Sequence, residues 1–235
     1  MFVSVLMPCL NEGGNIEPTM KSVLGAFDLL ASDSLSGELI IVNDGSTDNT
    51  LEIATAKSKL DPRVSVISHQ RNKGIGAAFW TGFDQSKGDG VCLVPGDGQI
   101  DPMEILRYHR LIEQVDFVVP FSINAHSRTR FRRLLSWTYR KIVNTSFGTE
   151  FHYTNGAVLY QARMLRELAG VRRDPGFFFQ TDLLVRAVKA GYLHAEVPFR
   201  VDVRRAGRST ALSFRSFRGV CKGYLGLLAQ IYLKR

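Results

Sequence analysis

Asp97 stands in Pro95-Gly96-Asp97-Gly98-Gln99, an oxygen ligand between two glycines directly after an apolar run. Such a carboxylate suits a hard divalent cation, and Gln99 adds a neutral oxygen two residues on. Asp44, in Asn43-Asp44-Gly45-Ser46, closes a second apolar run and can accept hydrogen bonds from ligand N–H groups. Glu12 follows a third run, in Pro8-Cys9-Leu10-Asn11-Glu12, and is either a ligand contact or a carboxylate at a helix start. Arg71-Asn72-Lys73-Gly74-Ile75-Gly76 joins two cations to two glycines before a helix-like stretch. It can approach a phosphate closely, or it can simply turn the chain.

Each segment needs an element to hold it. The pattern predicts strands over residues 2–7, 38–42, 64–68 and 90–94, alternating with helices over 15–30, from Thr47 or Asp48 to about 59, and over 75–86. Alternation of this kind makes a mostly parallel sheet flanked by helices. Ligands then bind where the carboxyl ends of the strands open, which is where all four polar segments fall. Later in the chain, residues 129–144 read as a basic helix and 180–190 as an amphipathic one. Phe214, Phe217, Val220, Cys221, Tyr224, Leu227, Leu228 and Ile231 form one apolar stripe on a last, basic amphipathic helix. That stripe needs a partner, either the rest of the protein or a membrane interface. The expected division is a main domain over 1–212 and this helix over 213–235.

The chain of 235 residues is long enough for a sizeable core, and 45% hydrophobic with 22% charged residues excludes a disordered or fibrous chain. No apolar run reaches the roughly 20 residues of a membrane-spanning helix. The first nine residues lack the basic region of a secretory leader. Cys9, Cys92 and Cys221 are odd in number and widely spaced, which fits buried thiols in a reducing cytosol. The net charge of +8 is segregated. Between Phe117 and Thr149 there is no acidic residue, against Arg128, Arg130, Arg132, Arg133, Arg140 and Lys141. After Asp202 there are again eight basic residues and no acidic one. Such segments are either solvated faces or attract polyanions. No nucleic-acid motif or aromatic stacking platform accompanies them, so nucleic acid is not the expected partner.

Taken in order, the four segments resemble glycosyltransferase family 2. The resemblance continues through Gly156-Ala157-Val158-Leu159-Tyr160, Phe179-Gln180-Thr181-Asp182-Leu183-Leu184, Glu196-Val197-Pro198 and Arg204 to Gly207-Arg208-Ser209. Within the family the chain is most similar to the dolichol-phosphate mannosyltransferases and the bacterial polyprenyl-phosphate glycosyltransferases. The resemblance implies a GT-A (Rossmann-like) fold. It implies a metal-dependent inverting enzyme that uses Mg2+ or Mn2+, a nucleotide-diphosphate sugar as donor and a polyprenyl phosphate as acceptor at the cytoplasmic membrane face. By the same resemblance Asp97 and Gln99 hold the metal, Asp44 binds the base, and Pro8, Asn11, Glu12, Lys73, Gly74 and Gly96 line the donor crevice.

The family usually has Asp-x-Asp where this chain has Pro95-Gly96-Asp97, so the first aspartate is missing and donor affinity is in question. His152 stands where an aspartate is common. Members acting on sugar hydroxyls place a carboxylate near Gln180, because a hydroxyl must lose its proton as it attacks. A phosphate acceptor is already anionic and calls for cations instead. Arg128, Arg130, Arg132 and Arg133, with Arg204 or Arg205, are the candidates to hold the acceptor phosphate and departing diphosphate. Gln180 and Asp182 face this region by resemblance, and Asp182 either assists there or pairs locally. The other expectations are a saccharide or soluble acceptor, and a nucleotide-sugar-binding protein whose site Pro95 has degraded.

Overall fold

The structure, a computed structural model, describes residues 1–124, 130–154, 156–169, 173–200 and 214–233. In chain order the elements are β1 (Phe2–Cys9), α1 (Ile16–Leu30), β2 (Ser36–Asn43), α2 (Thr50–Leu60), β3 (Val64–Ser68), α3 (Ile75–Gln85), β4 (Gly90–Leu93), α4 (Met103–Leu106), β5 (Phe117–Ser122), α5 (Arg130–Phe147), β6 (Leu159–Gln161), α6 (Ala162–Ala169), α7 (Phe179–Lys189), β7 (His194–Phe199) and α8 (Phe214–Tyr232). The strands form one sheet in the order β3-β2-β1-β4-β6-β5-β7. β1 to β4 run parallel, as do β5 and β7, while β6 runs antiparallel to both of its neighbours.

β1 lies between β2 and β4, so the chain builds outward to β3 and then crosses back past β1 to start β4. That reversal opens a crevice at the carboxyl ends of β1 and β4, where ligands of open α/β sheets bind. Alternate side chains of β1 feed two cores. Val3, Val5 and Met7 pack with Leu39 and Ile41 under α1 and α2. Leu6 packs with Ile40, Val42 and Leu93 against Phe79, Phe83 and Leu184 of α3 and α7.

The C-terminal stripe finds its partner inside the protein. Leu227 is buried with Val143, Phe147, Phe178 and Val185, and Val220, Tyr224, Leu228 and Ile231 pack around this cluster. Ser146 Oγ bonds the Tyr224 hydroxyl at 2.6 Å and Tyr232 donates to the Ser146 carbonyl, fastening α8 to α5. Phe217 lies off the packed side and is exposed. Cys9 and Cys92 are buried thiols as expected, but Cys221 is exposed, because the packed face of α8 is the one through Val220, Tyr224 and Leu227. Among the described residues no helix is long and apolar enough to cross a membrane.

Candidate active site

The strand-end loops are tied to one another before any ligand arrives. Gly96 N–H donates to the Pro8 carbonyl at 3.1 Å and Asp44 N–H to the Cys9 carbonyl at 2.8 Å, which extends the sheet pairing past the strand ends. Asn11 adopts a left-handed backbone with φ 56. Its side-chain oxygen accepts the Thr47 N–H at 2.8 Å, and its own N–H donates to Ser46 Oγ at 3.0 Å. Asp48 accepts from the N–H groups of Gly13 and Thr50. Burial acts to raise the Asp48 pKa, but these bonds and the Thr50 hydroxyl outweigh it and hold the carboxyl below its usual value. Glu12 donates its N–H to Thr50 Oγ1 and accepts the Asn15 amide on its carboxylate at 2.7 Å, at the start of α1.

Asp44 ties three residues of the next loop to the end of β2. It is 4% exposed and accepts the N–H groups of Lys73 at 2.9 Å and Gly74 at 2.8 Å. His69 Nδ1 lies 2.7 Å from the same carboxylate, and its Nε2 lies 3.0 Å from Thr81 Oγ1. Two further amides at the head of α3, Gly76 and Ala77, donate to the Pro175 carbonyl. The amides of Lys73, Gly74, Gly76 and Ala77 are therefore taken within the protein, and the loop offers a ligand the exposed side chains of Arg71 and Lys73. Gly74 has φ +100, and a Cβ there would sit 2.4 Å from the Pro175 carbonyl oxygen, so only glycine fits. His69 was not legible as a site residue: its partner Asp44 is 25 positions away, and only the β2–β3 register brings the two together.

Asp97 follows β4 in a tight turn, half-buried, with its carboxylate accepting the Gln99 N–H at 3.1 Å. The nearby Cys9 thiol reports the local field. Burial first, then the negative charges of Glu12, Asp97 and Asp48, push its pKa above the ordinary range. The charges of Glu12, Asp97 and Asp48 thus all reach the thiol at the end of β1. The donor set fits a divalent cation of the Mg2+ type, which takes one or two carboxylates and completes its shell with substrate phosphate and water. Asp97, with Gln99 two residues on in the same turn, could supply it. Among the described residues there is no cluster of three His, Cys, Asp or Glu of the kind that forms an all-protein cage.

The head of α7 closes the other side. Gln180 is 4% exposed and its amide donates to the Gly156 carbonyl at 2.5 Å, pinning the segment that enters β6. Asp182 is 2% exposed and is gripped by Arg186 Nε at 2.8 Å and Nη2 at 3.2 Å, and Arg186 also reaches Gln230 of α8. Thr181 Oγ1 bonds the Tyr139 hydroxyl of α5 at 2.8 Å. His152 is largely exposed. Its N–H and Nδ1 both meet the Glu196 carboxylate, at 2.8 and 2.5 Å, and Arg140 donates to its carbonyl. Glu196 enters the sequence reading only as part of a motif, and its contact with His152 comes from β7 lying under the 151–154 segment. Arg130 opens α5 with an exposed side chain. Arg128, Arg204 and Arg205, and the Arg132 side chain, lie outside the described residues.

Residues 4–169 match the model of the family described as Glycosyl transferase family 2. The chain is 33% identical over 212 residues to a dolichyl-phosphate beta-glucosyltransferase of Trichomonas vaginalis, which covers 84% of this chain and 63% of that one. It is 28% identical over 170 residues to the dodecaprenyl-phosphate galacturonate synthase of Rhizobium johnstonii, over 71% of this chain and 49% of the other. The chain thus spans between about half and two thirds of the length of these two relatives. Its fold is shared with glucosyl-3-phosphoglycerate synthase from Mycobacterium tuberculosis, solved with Mg2+ and UDP. That comparison has a TM-score of 0.71 at 21% identity and covers 97% of this chain and 79% of that one. With a family model covering more than half of its length and a relative 33% identical along most of it, the chain belongs to glycosyltransferase family 2.

Proposed function

We propose that this glycosyltransferase moves a hexose from a GDP- or UDP-linked sugar to a polyprenyl or dolichyl phosphate, with inversion, on the cytoplasmic face of a membrane. The observation that carries this reading is the head of α7. A hydroxyl acceptor needs a base there. Gln180 is an amide bonded to Gly156, and Asp182 is locked in a buried bidentate pair with Arg186. A phosphate acceptor needs neither.

In this reading Asp44 holds the Arg71–Gly76 loop against the nucleoside, and Arg71 and Lys73 face the diphosphate. Pro8, Asn11, Glu12 and Gly96 shape the crevice floor. A divalent cation, Mg2+ or Mn2+, bound by Asp97 and Gln99 would neutralise the diphosphate as it leaves. Arg130, with Arg204, holds the acceptor phosphate, whose oxygen forms the new bond to the anomeric carbon while the bond to the diphosphate breaks. Pro95 leaves Asp97 as the one carboxylate of the family's pair, so the site relies on it fully.

A second reading, a saccharide or soluble acceptor, is favoured by one observation. His152 is an exposed imidazole backed by Glu196, the arrangement of an oriented general base. One assay separates the two. Protein with Mg2+ or Mn2+ is given labelled UDP- and GDP-sugars, a polyprenyl phosphate and a mixture of soluble saccharides, and label is counted in the organic phase and in the aqueous saccharides after nucleotide sugars are removed. Acid-labile organic label that disappears in Asp97→Ala and survives in His152→Ala supports the lipid phosphate. Label entering only water-soluble saccharide, and lost in His152→Ala, supports the second reading. Nucleotide binding without any turnover would make Pro95 the mark of a degraded site.

A further inference from the structure

α8 carries the stripe that the sequence offers for membrane contact, but most of that stripe is covered by α5 and α7. Phe217, Leu225 and Tyr232 of α8 stay exposed, and a further uncovered apolar surface, with four large side chains, lies on α5. Val143 and Phe147 face inward there. Leu134, Trp137 and Lys141 recur at i, i+3 and i+7, which puts them in one row on the opposite face. Leu134 is 60% exposed and Trp137 53%, and Leu135 and Ile142 flank the row at 43% and 47%. The row is headed, one turn earlier, by Arg130.

We infer that the outer face of α5 is the surface by which the protein docks onto an anionic membrane, and this inference rests on the lipid-phosphate reading above. Charge selects the occupant. Neither α5 nor α8 contains an acidic residue. Two copies meeting through this face would set cation against cation, whereas an anionic headgroup layer complements it. The side-chain types suit the same occupant. An indole on an exposed face settles at headgroup level, leucine and isoleucine reach the acyl boundary, and a lysine such as Lys141 can lay its stem along apolar surface and keep its ammonium among the headgroups. The 18 residues of α5 span about 27 Å, long enough to lie in the interface plane as an anchor. Arg130 at the head of the row then places the proposed acceptor-phosphate contact at the same surface as the acceptor's own headgroup.

The test uses the full chain and vesicles of phosphatidylcholine, with or without about one-third phosphatidylglycerol. Wild type is expected to float with anionic vesicles. The Leu134→Glu/Trp137→Glu variant is expected to lose at least about tenfold in partition, and Lys141→Glu about fivefold or more. Both sites are exposed, so melting temperature should hold. Brominated acyl chains should quench Trp137, while Trp80, at 4% exposure, keeps its emission. A short, water-soluble prenyl phosphate separates docking from chemistry: the double variant should turn it over like wild type yet fail on long-chain acceptor in vesicles. If wild type glycosylates neither acceptor, the lipid-phosphate reading falls, while partition and quenching still decide the docking surface. Equal partition of wild type and variant, an unquenched Trp137, or a variant that only dissolves a dimer or releases nucleic acid overturns the inference.

Discussion

Gly96→Ala tests whether the Asp97 turn is placed by its contact with β1. Gly96 has ordinary backbone angles, so alanine is conformationally allowed and only space decides. A Cβ at this position would sit 2.5 Å from Cys9 Sγ, and its next neighbours, Cys9 Cβ and Met7 Cγ, lie at a comfortable 3.6 and 3.7 Å. Relief to a normal contact of about 3.5 Å requires a shift of about 1 Å. Cys9 is 2% exposed within the sheet, so the turn moves rather than the strand. Overpacking of this kind costs about 1–3 kcal/mol, which in a chain this long lowers Tm by about 2–4 °C per kcal/mol. Catalysis is expected to suffer more, since a displacement of about 1 Å at a reacting centre costs on the order of 100-fold. The assay is nucleotide-sugar turnover at saturating Mg2+ beside a melting curve. Cys9→Ala deletes the single clashing atom, so Gly96→Ala/Cys9→Ala should regain most of both losses. Cys9→Ala alone should stay active, because burial keeps that thiol protonated. A double variant no better than Gly96→Ala, or a fully active Gly96→Ala, refutes the argument that this contact sets Asp97.

Asp182→Ala strands the Arg186 charge, whose side chain is only 10% exposed, and should cost about 3–5 kcal/mol in a denaturant titration, with Asp182→Leu/Arg186→Met recovering much of it. Tyr139, pushed up to about 12 by burial against the opposing effect of its Thr181 bond, should stay un-ionised where free tyrosine titrates near 10. Its folded pKa is raised, so its contribution to stability is complete below about pH 10 and declines from there to about 12, and Tyr139→Phe should remove that part of the alkaline slope. Chelation of divalent cations should abolish transfer reversibly, and Asp97→Asn should lower turnover by about 100-fold or more and shift the Mg2+ requirement upward. Turnover that chelator leaves untouched would remove the metal from the mechanism.

The parallel half of the sheet was readable because its strands are short apolar or alternating runs, three of them closed by a nearby Pro or Asp, and its helices have local start signals. The predicted spans over 64–68 and 75–86 lie within a residue of β3 and α3. β1 runs on through Pro8 to Cys9, because Pro8 pairs with Val42 and needs no N–H on the β4 side, where the ladder ends at Leu6. The other half was less legible. β6 is three residues long and takes its direction from β4 and β5, not from its own sequence. The choice between local pairing and assistance for Asp182 was open in the sequence, since Arg186 at i+4 permits a pair without requiring one. Burial against α8 supplies the missing information.

The two sides of the site are built under different rules, and this bears on how the enzyme can vary. On the donor side, Asn11 to Thr47, Glu12 to Thr50, Asp48 to Gly13, Asp44 to Lys73 and Gly74, and Gly96 to Pro8 join successive strand ends into one hydrogen-bonded rim. Much of that rim runs through backbone groups, so it tolerates little change in loop length. On the proposed acceptor side the ties are single side chains reaching out from helices: Tyr139 to Thr181 of a neighbouring helix, Gln180 to the Gly156 carbonyl, Arg140 to the His152 carbonyl. Each can be lost singly at about 1 kcal/mol without disturbing the sheet. On the proposed reading, a fold arranged in this way keeps one donor chemistry fixed while acceptor and membrane contacts change on α5 and α7. Substitutions that alter the acceptor should therefore map to those helices and to the 151–156 segment, and substitutions in the strand-end rim should reduce transfer to every acceptor alike.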